Sequence, residues 1–228
     1  MDGNGRWAEN RGLSRSDGHR AGVRAIKHIV EACVEKHVPI LSIWAFGQDN
    51  WARPETEVNF LMQLFVESLN QEVDQLHQNG VCLRFTGDRS PLSQALCESM
   101  ALAEFMTAKN NTLTLNVVIN YGGKWDIVQA TKKIAQHVAC GVLQSDDINE
   151  QLIASQLTMH DLPEPDLFIR TSGEQRLSNF FLWQLAYTEL YFSEVCWPDF
   201  TVREFEHALQ WFSARERRFG KTSKQIQA

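Results

Sequence analysis

A chain of 228 residues with 43% hydrophobic and 22% charged side chains can bury a substantial core, and six prolines leave little room for extensive disorder. The formal net charge of −6 argues against a general nucleic-acid binder, which needs a basic surface. No signal peptide is evident and no apolar run reaches the ~18 residues of a membrane span, so a cytoplasmic protein is expected.

In chain order, short β-rich runs alternate with helical patterns. Met1-Asp2-Gly3-Asn4-Gly5-Arg6-Trp7 opens the chain as a glycine-rich loop or a flexible Gly-Asn turn. Ala21–Lys36 has Val23, Ile26, Ile29, Val30 and Cys33 at helical spacing, with Ser16 or Asp17 as caps. Val38–Phe46 reads as a strand, and Glu57–Gln78 as a long helix ending at Asn79-Gly80. Strands then fit Val81–Thr86, Leu113–Ile119 and Asp166–Thr171. Helices fit Leu92–Ala108, Lys124–Ala139, Asn149–Leu157 and Val202–Arg218. This alternation implies an α/β fold with a mostly parallel central sheet flanked by helices, with ligands at the strands' carboxyl ends. No linker divides the chain, so residues 1–220 read as one domain and 221–228 as a disordered tail. The five cysteines are scattered, odd in number and without metal-ligand spacing, and most read as small buried hydrophobes in a reducing compartment.

Three polar segments follow strands or precede a helix. In the first, Gly3 and Gly5 permit close backbone approach, Arg6, Arg15 and His19 donate charge-assisted hydrogen bonds, and Asp2 suits a carboxylate that carries Mg2+ to a diphosphate. The second, Gly47-Gln48-Asp49-Asn50-Trp51-Ala52-Arg53-Pro54, is placed as a lid, although Pro54, Glu55 and Glu57 equally suit a first helical turn. The third, Arg170-Thr171-Ser172-Gly173-Glu174-Gln175-Arg176-Leu177-Ser178, has two arginines able to clamp a second diphosphate, or to be solvated in a polar turn. Glu189, inside an aromatic run, needs an arginine or a metal as partner. Asp146-Asp147 reads as a helix-start cap rather than a metal site.

Together with Asn-Tyr-Gly-Gly-x-Trp-Asp at residues 120–126, Trp197-Pro198-Asp199-Phe200 and Arg215-Glu216-Arg217-Arg218-Phe219-Gly220, these segments resemble the cis-prenyltransferases of the undecaprenyl diphosphate synthase type, from Asp2 to about Gly220. The resemblance implies a Mg2+-dependent homodimer that condenses isopentenyl diphosphate repeatedly onto farnesyl diphosphate. Its product would be a polyprenyl diphosphate, the lipid carrier precursor for cell-wall polysaccharides, giving at most peripheral membrane contact. It implies that Asp2 handles Mg2+ and the diphosphates and that Asn50 is a proton acceptor. Gly3, Asn4, Gly5, Arg6, Trp7, Arg15 and His19 would form the allylic diphosphate pocket. Gly47, Gln48, Asp49, Trp51 and Arg53 would lie on the lid beside the reacting ends, with Glu57 on the mobile segment. Arg170, Arg176, Leu177 and Ser178 would clamp isopentenyl diphosphate, and Glu189 would be a metal carboxylate. Gly47, Asp49 and Gln175 depart from the family's usual serine, glutamate and histidine. The family also has an apolar strand running into the Met-Asp-Gly motif, so that first strand is expected to be missing here and Asp2 to sit beside a free terminus. The alternatives are a non-catalytic partner subunit and, with less to recommend it, a phosphohydrolase.

Overall fold

The computed structural model describes residues 1–218 together with Thr222 and Gln225. A short helix α1 (Asn4–Glu9) leads into α2 (Arg15–Glu35), followed by β1 (Ile40–Gly47) and a 3-10 turn at Gln48–Ala52. Then come α3 (Glu55–Gln78), β2 (Val81–Thr86), α4 (Gln94–Thr107), β3 (Leu113–Tyr121), α5 (Gly123–Ala139) and α6 (Glu150–Gln156). The short strands β4 (Leu167–Arg170) and β5 (Glu189–Phe192) precede α7 (Val202–Ser213).

Every strand pairing is parallel, as the strand–helix alternation requires. β3 lies between β1 and β2, with Val117 opposite Ile43 and Phe85. Eight of its nine residues are buried, so it reads as a continuous apolar run rather than an alternating one. β4 and β5 form a separate pair. The expected single sheet is thus divided in two. One edge of β1 and one edge of β4 are left without a strand partner, and residues of both line the same cavity of about 990 Å³. The main core packs Ile29 and Cys33 of α2, Leu61 of α3 and Leu96 and Met100 of α4 around Phe46, Leu83 and Leu115. A smaller aromatic cluster joins Tyr121, Phe180 and Phe181.

Two helix starts differ from expectation. Ser14, not Ser16, caps α2: its hydroxyl accepts from the Asp17 N–H at 3.2 Å while the Asp17 carboxylate accepts from the Ser14 N–H at 3.2 Å. The helix therefore begins at Arg15 and carries Arg15 and His19 on one face, four residues apart. The opening motif is helical rather than a loop. It is held by packing, because Gly18 of α2 lets α1 approach so closely that a Cβ there would lie 2.1 Å from the Asn4 carbonyl oxygen. Asp147 accepts from the Gln144 N–H at 2.7 Å, a capping role as expected. Cys33 is buried, but Cys140 is exposed, against the expectation for a small hydrophobe. Phe219, Gly220 and most of the expected tail lie outside the described residues.

Candidate active site

The first, second and third polar segments converge on the cavity at the strands' carboxyl ends. Gly47, Asp49, Asn50 and Arg53 reach it from β1, Arg170, Arg176, Leu177 and Ser178 from β4, and Asp2, Gly3, Asn4, Gly5, Arg6, Arg15 and His19 from the amino-terminal segment. Trp7, Gln48, Trp51 and Glu189 do not line it.

One cationic group surrounds Glu57. Arg15, His19 and Arg53 each place a nitrogen 3.1 Å from its carboxylate, and Arg15 also reaches Glu9 at 2.8 Å. The Glu57 side chain is only 12% exposed. Burial alone would raise its pKa, but hydrogen bonds from Arg15 and His19 and the charges of Arg15 and Arg53 outweigh it and hold the carboxyl below its ordinary value. Burial lowers the His19 pKa despite the Glu57 contact, so the imidazole is neutral at pH 7. Glu57 was expected only on a mobile segment; its central place was not foreseen.

The second group surrounds Arg170. Its guanidinium donates to Asp2 Oδ2 at 2.9 Å, to Ser178 Oγ at 2.9 Å and to the Arg176 carbonyl. Burial pushes the Asp2 pKa up, but the Arg170 hydrogen bond and charge, the terminal ammonium and the Gly3 N–H prevail and lower it. Thr171, whose part in the site was also not foreseen, ties Asp2 down: the Asp2 N–H donates to Thr171 Oγ1 and that hydroxyl donates to the Asp2 carbonyl, both at 2.9 Å. Arg6 and Arg176 share Glu174, which Arg6 meets at 2.9 Å. Ser172, Ser178 and Asn179 all hold positive φ (77°, 51° and 66°), strain of a kind that collects in ligand-binding loops.

Trp7, Trp51 and Glu189 lie off the cavity lining, and Asn50, which lines it, has its amide engaged. Trp7 donates from its indole to Asp199 at 2.7 Å and carries Arg11 on its ring, outside the cavity. Asn50 Oδ1 accepts from the Gly47 N–H at 2.9 Å, an engaged amide oxygen of negligible basicity and so a poor proton acceptor in this arrangement. Trp51 is turned toward β3 and reached through Asn120. Glu189 pairs with Arg215 at 3.2 Å and lies in register with Leu167, four residues or about 13 Å along the strand from Thr171 and Asp2. Within one chain Asp2 and Glu189 therefore do not meet at a metal. No group of three metal-ligating side chains is found among the described residues. Asp2, ionised and 41% exposed, still suits a divalent ion that arrives with its own phosphate and water oxygens.

A parallel α/β scaffold thus carries two arginine-centred groups on one cavity, an arrangement whose charge suits anionic ligands. Residues 1–220 match the family described as "Putative undecaprenyl diphosphate synthase", and the chain belongs to that family. It is 60% identical over 223 residues to the ditrans,polycis-undecaprenyl-diphosphate synthase ((2E,6E)-farnesyl-diphosphate specific) of Legionella pneumophila (strain Paris), covering 98% of this chain and 94% of that one. The enzyme of the same description from Aliivibrio fischeri is 52% identical, covering 100% of this chain and 89% of that one. Among solved structures, lavandulyl diphosphate synthase from Lavandula x intermedia with dimethylallyl diphosphate superposes with a TM-score of 0.93 at 38% identity, covering 97% and 95% of the two chains.

Proposed function

We propose that the chain condenses isopentenyl diphosphate repeatedly onto farnesyl diphosphate to build undecaprenyl diphosphate. What carries this reading is the pairing of two cationic groups across one cavity, one centred on Arg15 and Arg53, with His19 beside them, and the other on Arg170 and Arg176. Transfer breaks the allylic carbon–oxygen bond, releases diphosphate, forms one carbon–carbon bond and expels one proton from the isopentenyl unit. The first group takes the allylic diphosphate and the second the isopentenyl diphosphate. Both now hold carboxylates, Glu57 on one side and Asp2 and Glu174 on the other, which diphosphates displace on entry. Asp2 is the residue that holds Mg2+, which when bound neutralises charge on the departing diphosphate. A metal held by Asp2 and Glu189 together requires the Glu189 of a second copy, in keeping with a homodimer. No helix among the described residues is long and apolar enough to cross a membrane, so lipid contact is through the product.

The test is incubation with Mg2+, farnesyl diphosphate and labelled isopentenyl diphosphate. Label extracted into organic solvent as a product of many isoprene units supports the reading, and loss of that signal with chelator supports the metal. Intact substrates after long incubation would overturn it.

A further inference from the structure

The Asn120-Tyr121-Gly122-Gly123 segment, prominent in the sequence, lies at the carboxyl end of β3 and has no part in either cationic pocket. Asn120 is 2% exposed and adopts φ of 50°. Asparagine tolerates this left-handed conformation better than most residues. Both ends of its amide are bonded: Oδ1 accepts from the Trp51 indole N–H at 2.8 Å and Nδ2 donates to the Asp88 carbonyl at 2.7 Å. The backbone closes the same link, with the Asp88 N–H donating to the Asn120 carbonyl at 3.2 Å. Asn120 is therefore fixed from behind before it touches Trp51.

Among the described residues, the Trp51 side chain has two anchors of this kind. Its ring meets Phe46 edge-on at 5.2 Å, and its N–H meets Asn120. It is otherwise 40% exposed and sits in the 3-10 turn that carries Asp49 and Asn50 to the cavity. Two residues on, Gly122 packs so closely that a Cβ would lie 2.7 Å from Asn179 Nδ2 and 3.2 Å from Gln48 Oε1. Asn179 in turn accepts from the Gly123 and Lys124 N–H groups, at 2.6 and 2.8 Å. The end of β3 thus touches both the turn after β1 and the loop after β4.

We propose that Asn120 is a positioning residue, which sets the turn at residues 48–52 against the cavity through its hydrogen bond to Trp51. This rests on the prenyl-transfer reading for its consequence in turnover, but not for the hold itself. The hold matters because a misplacement of about 1 Å at a reacting centre costs about 10²-fold in rate. Without that bond the Trp51 side chain would keep only its edge contact with Phe46, and the turn would lose its tie to β3 through Asn120.

Two measurements separate the hold from the reaction. With 5-fluorotryptophan incorporated, the Trp51 resonance is assigned by its absence in Trp51→Phe, a change that keeps the ring on Phe46 and removes the N–H donor. Asn120→Gly, which keeps access to positive φ, is expected to shift or broaden the Trp51 resonance while leaving most of the other six tryptophans in place. In turnover, each single variant is expected to lower kcat about ten-fold with a smaller change in KM, a modest part of the 10² limit. The double variant is expected to be no worse than Asn120→Gly alone. An unmoved Trp51 resonance in folded Asn120→Gly overturns the proposal, and so do losses that multiply in the double variant. If the unaltered chain makes no prenyl product, the functional reading fails, yet the fluorine spectrum still decides whether Asn120 holds Trp51.

Discussion

Asp2 and Arg170 lie 168 residues apart in the chain and 2.9 Å apart in space, joining the amino-terminal segment to the end of β4. The Arg170 side chain is only 11% exposed and that of Asp2 is 41% exposed, so the arginine is the sheltered partner and the carboxylate faces the cavity. A guanidinium in this position needs a counter-ion when the site is empty.

Replacing Asp2 by Asn keeps the shape and removes the charge. Turnover is expected to fall by about 10²-fold or more, as when a group that stabilises developing charge is lost. Melting temperature should drop by only a few degrees, about the effect of one weakened ion pair. Steady-state kinetics across a Mg2+ titration, with circular dichroism as control, checks both. Turnover unchanged in a folded variant removes Asp2 from the mechanism.

Arg170 and Arg176 should behave differently although both belong to the second pocket. Arg176 is 62% exposed and bonded to Glu174, so Arg176→Ala is expected to raise the KM for isopentenyl diphosphate about ten-fold while leaving the melting temperature alone. Arg170→Ala also strips Asp2 and Ser178 of their donor and should lower both affinity and stability. If only the affinity for the allylic substrate falls, the two pockets have been assigned the wrong way round.

His19 and Glu57 give the stability a direction with pH. Burial holds the folded His19 pKa below its ordinary value of 6.5, so the unfolded chain binds more protons as pH falls through 6.5. Its contribution is complete above pH 6.5 and is lost on acidification toward the folded value. The Glu57 pKa is likewise held below its ordinary value of 4.5, which adds a further loss under pH 4.5. Melting temperature should therefore decline from pH 7 to pH 5 and fall again below 4.5. In His19→Gln the first decline should flatten; an identical profile would show that His19 does not report folding.

Much of this architecture was legible in the sequence and some was not, for reasons that differ by residue. β2, β3 and the long helices α2 and α3 announce themselves because each buries a stripe or face set by local periodicity. β5 did not, since Glu189–Phe192 is four residues long and becomes a strand only by pairing with β4. α1 was hidden by two glycines that suit a loop, whereas packing against Gly18 makes it helical. The arginines and the glycine motifs pointed to diphosphate pockets. That Glu57 gathers Arg15 and His19 could not be read locally, because it lies 42 and 38 residues from them. Trp7 and Trp51 were placed with the substrates by resemblance; their indole donors instead turn to Asp199 and Asn120, acceptors distant in the chain.

The open edges of β1 and β4 lead to the last prediction. Each strand uses only one side for pairing, and the cavity between them is lined by Ile29, Cys33, Leu61, Phe180 and Phe205 as well as by residues 40–45 and 167–171. Unpaired strand edges beside apolar side chains invite one more strand. Met1 lines the same cavity, so residues added ahead of it would enter the gap between the two edges. An extended segment of six or seven residues, Val- and Ile-rich because both faces would be covered, spans about 20 Å and fits the length of β1. Fused ahead of Met1, it would add ladder hydrogen bonds worth about 1 kcal/mol each. A gain of a few kcal/mol in a protein of this size corresponds to roughly 10 °C in melting temperature. A Gly/Ser segment of equal length brings neither apolar cover nor strand propensity, so it should recover only a small part of the gain. Asp2 would also be held from both sides, and turnover should rise with stability in the apolar fusion alone. Equal melting temperatures for the two fusions would show that the facing edges of β1 and β4 do not take up a strand.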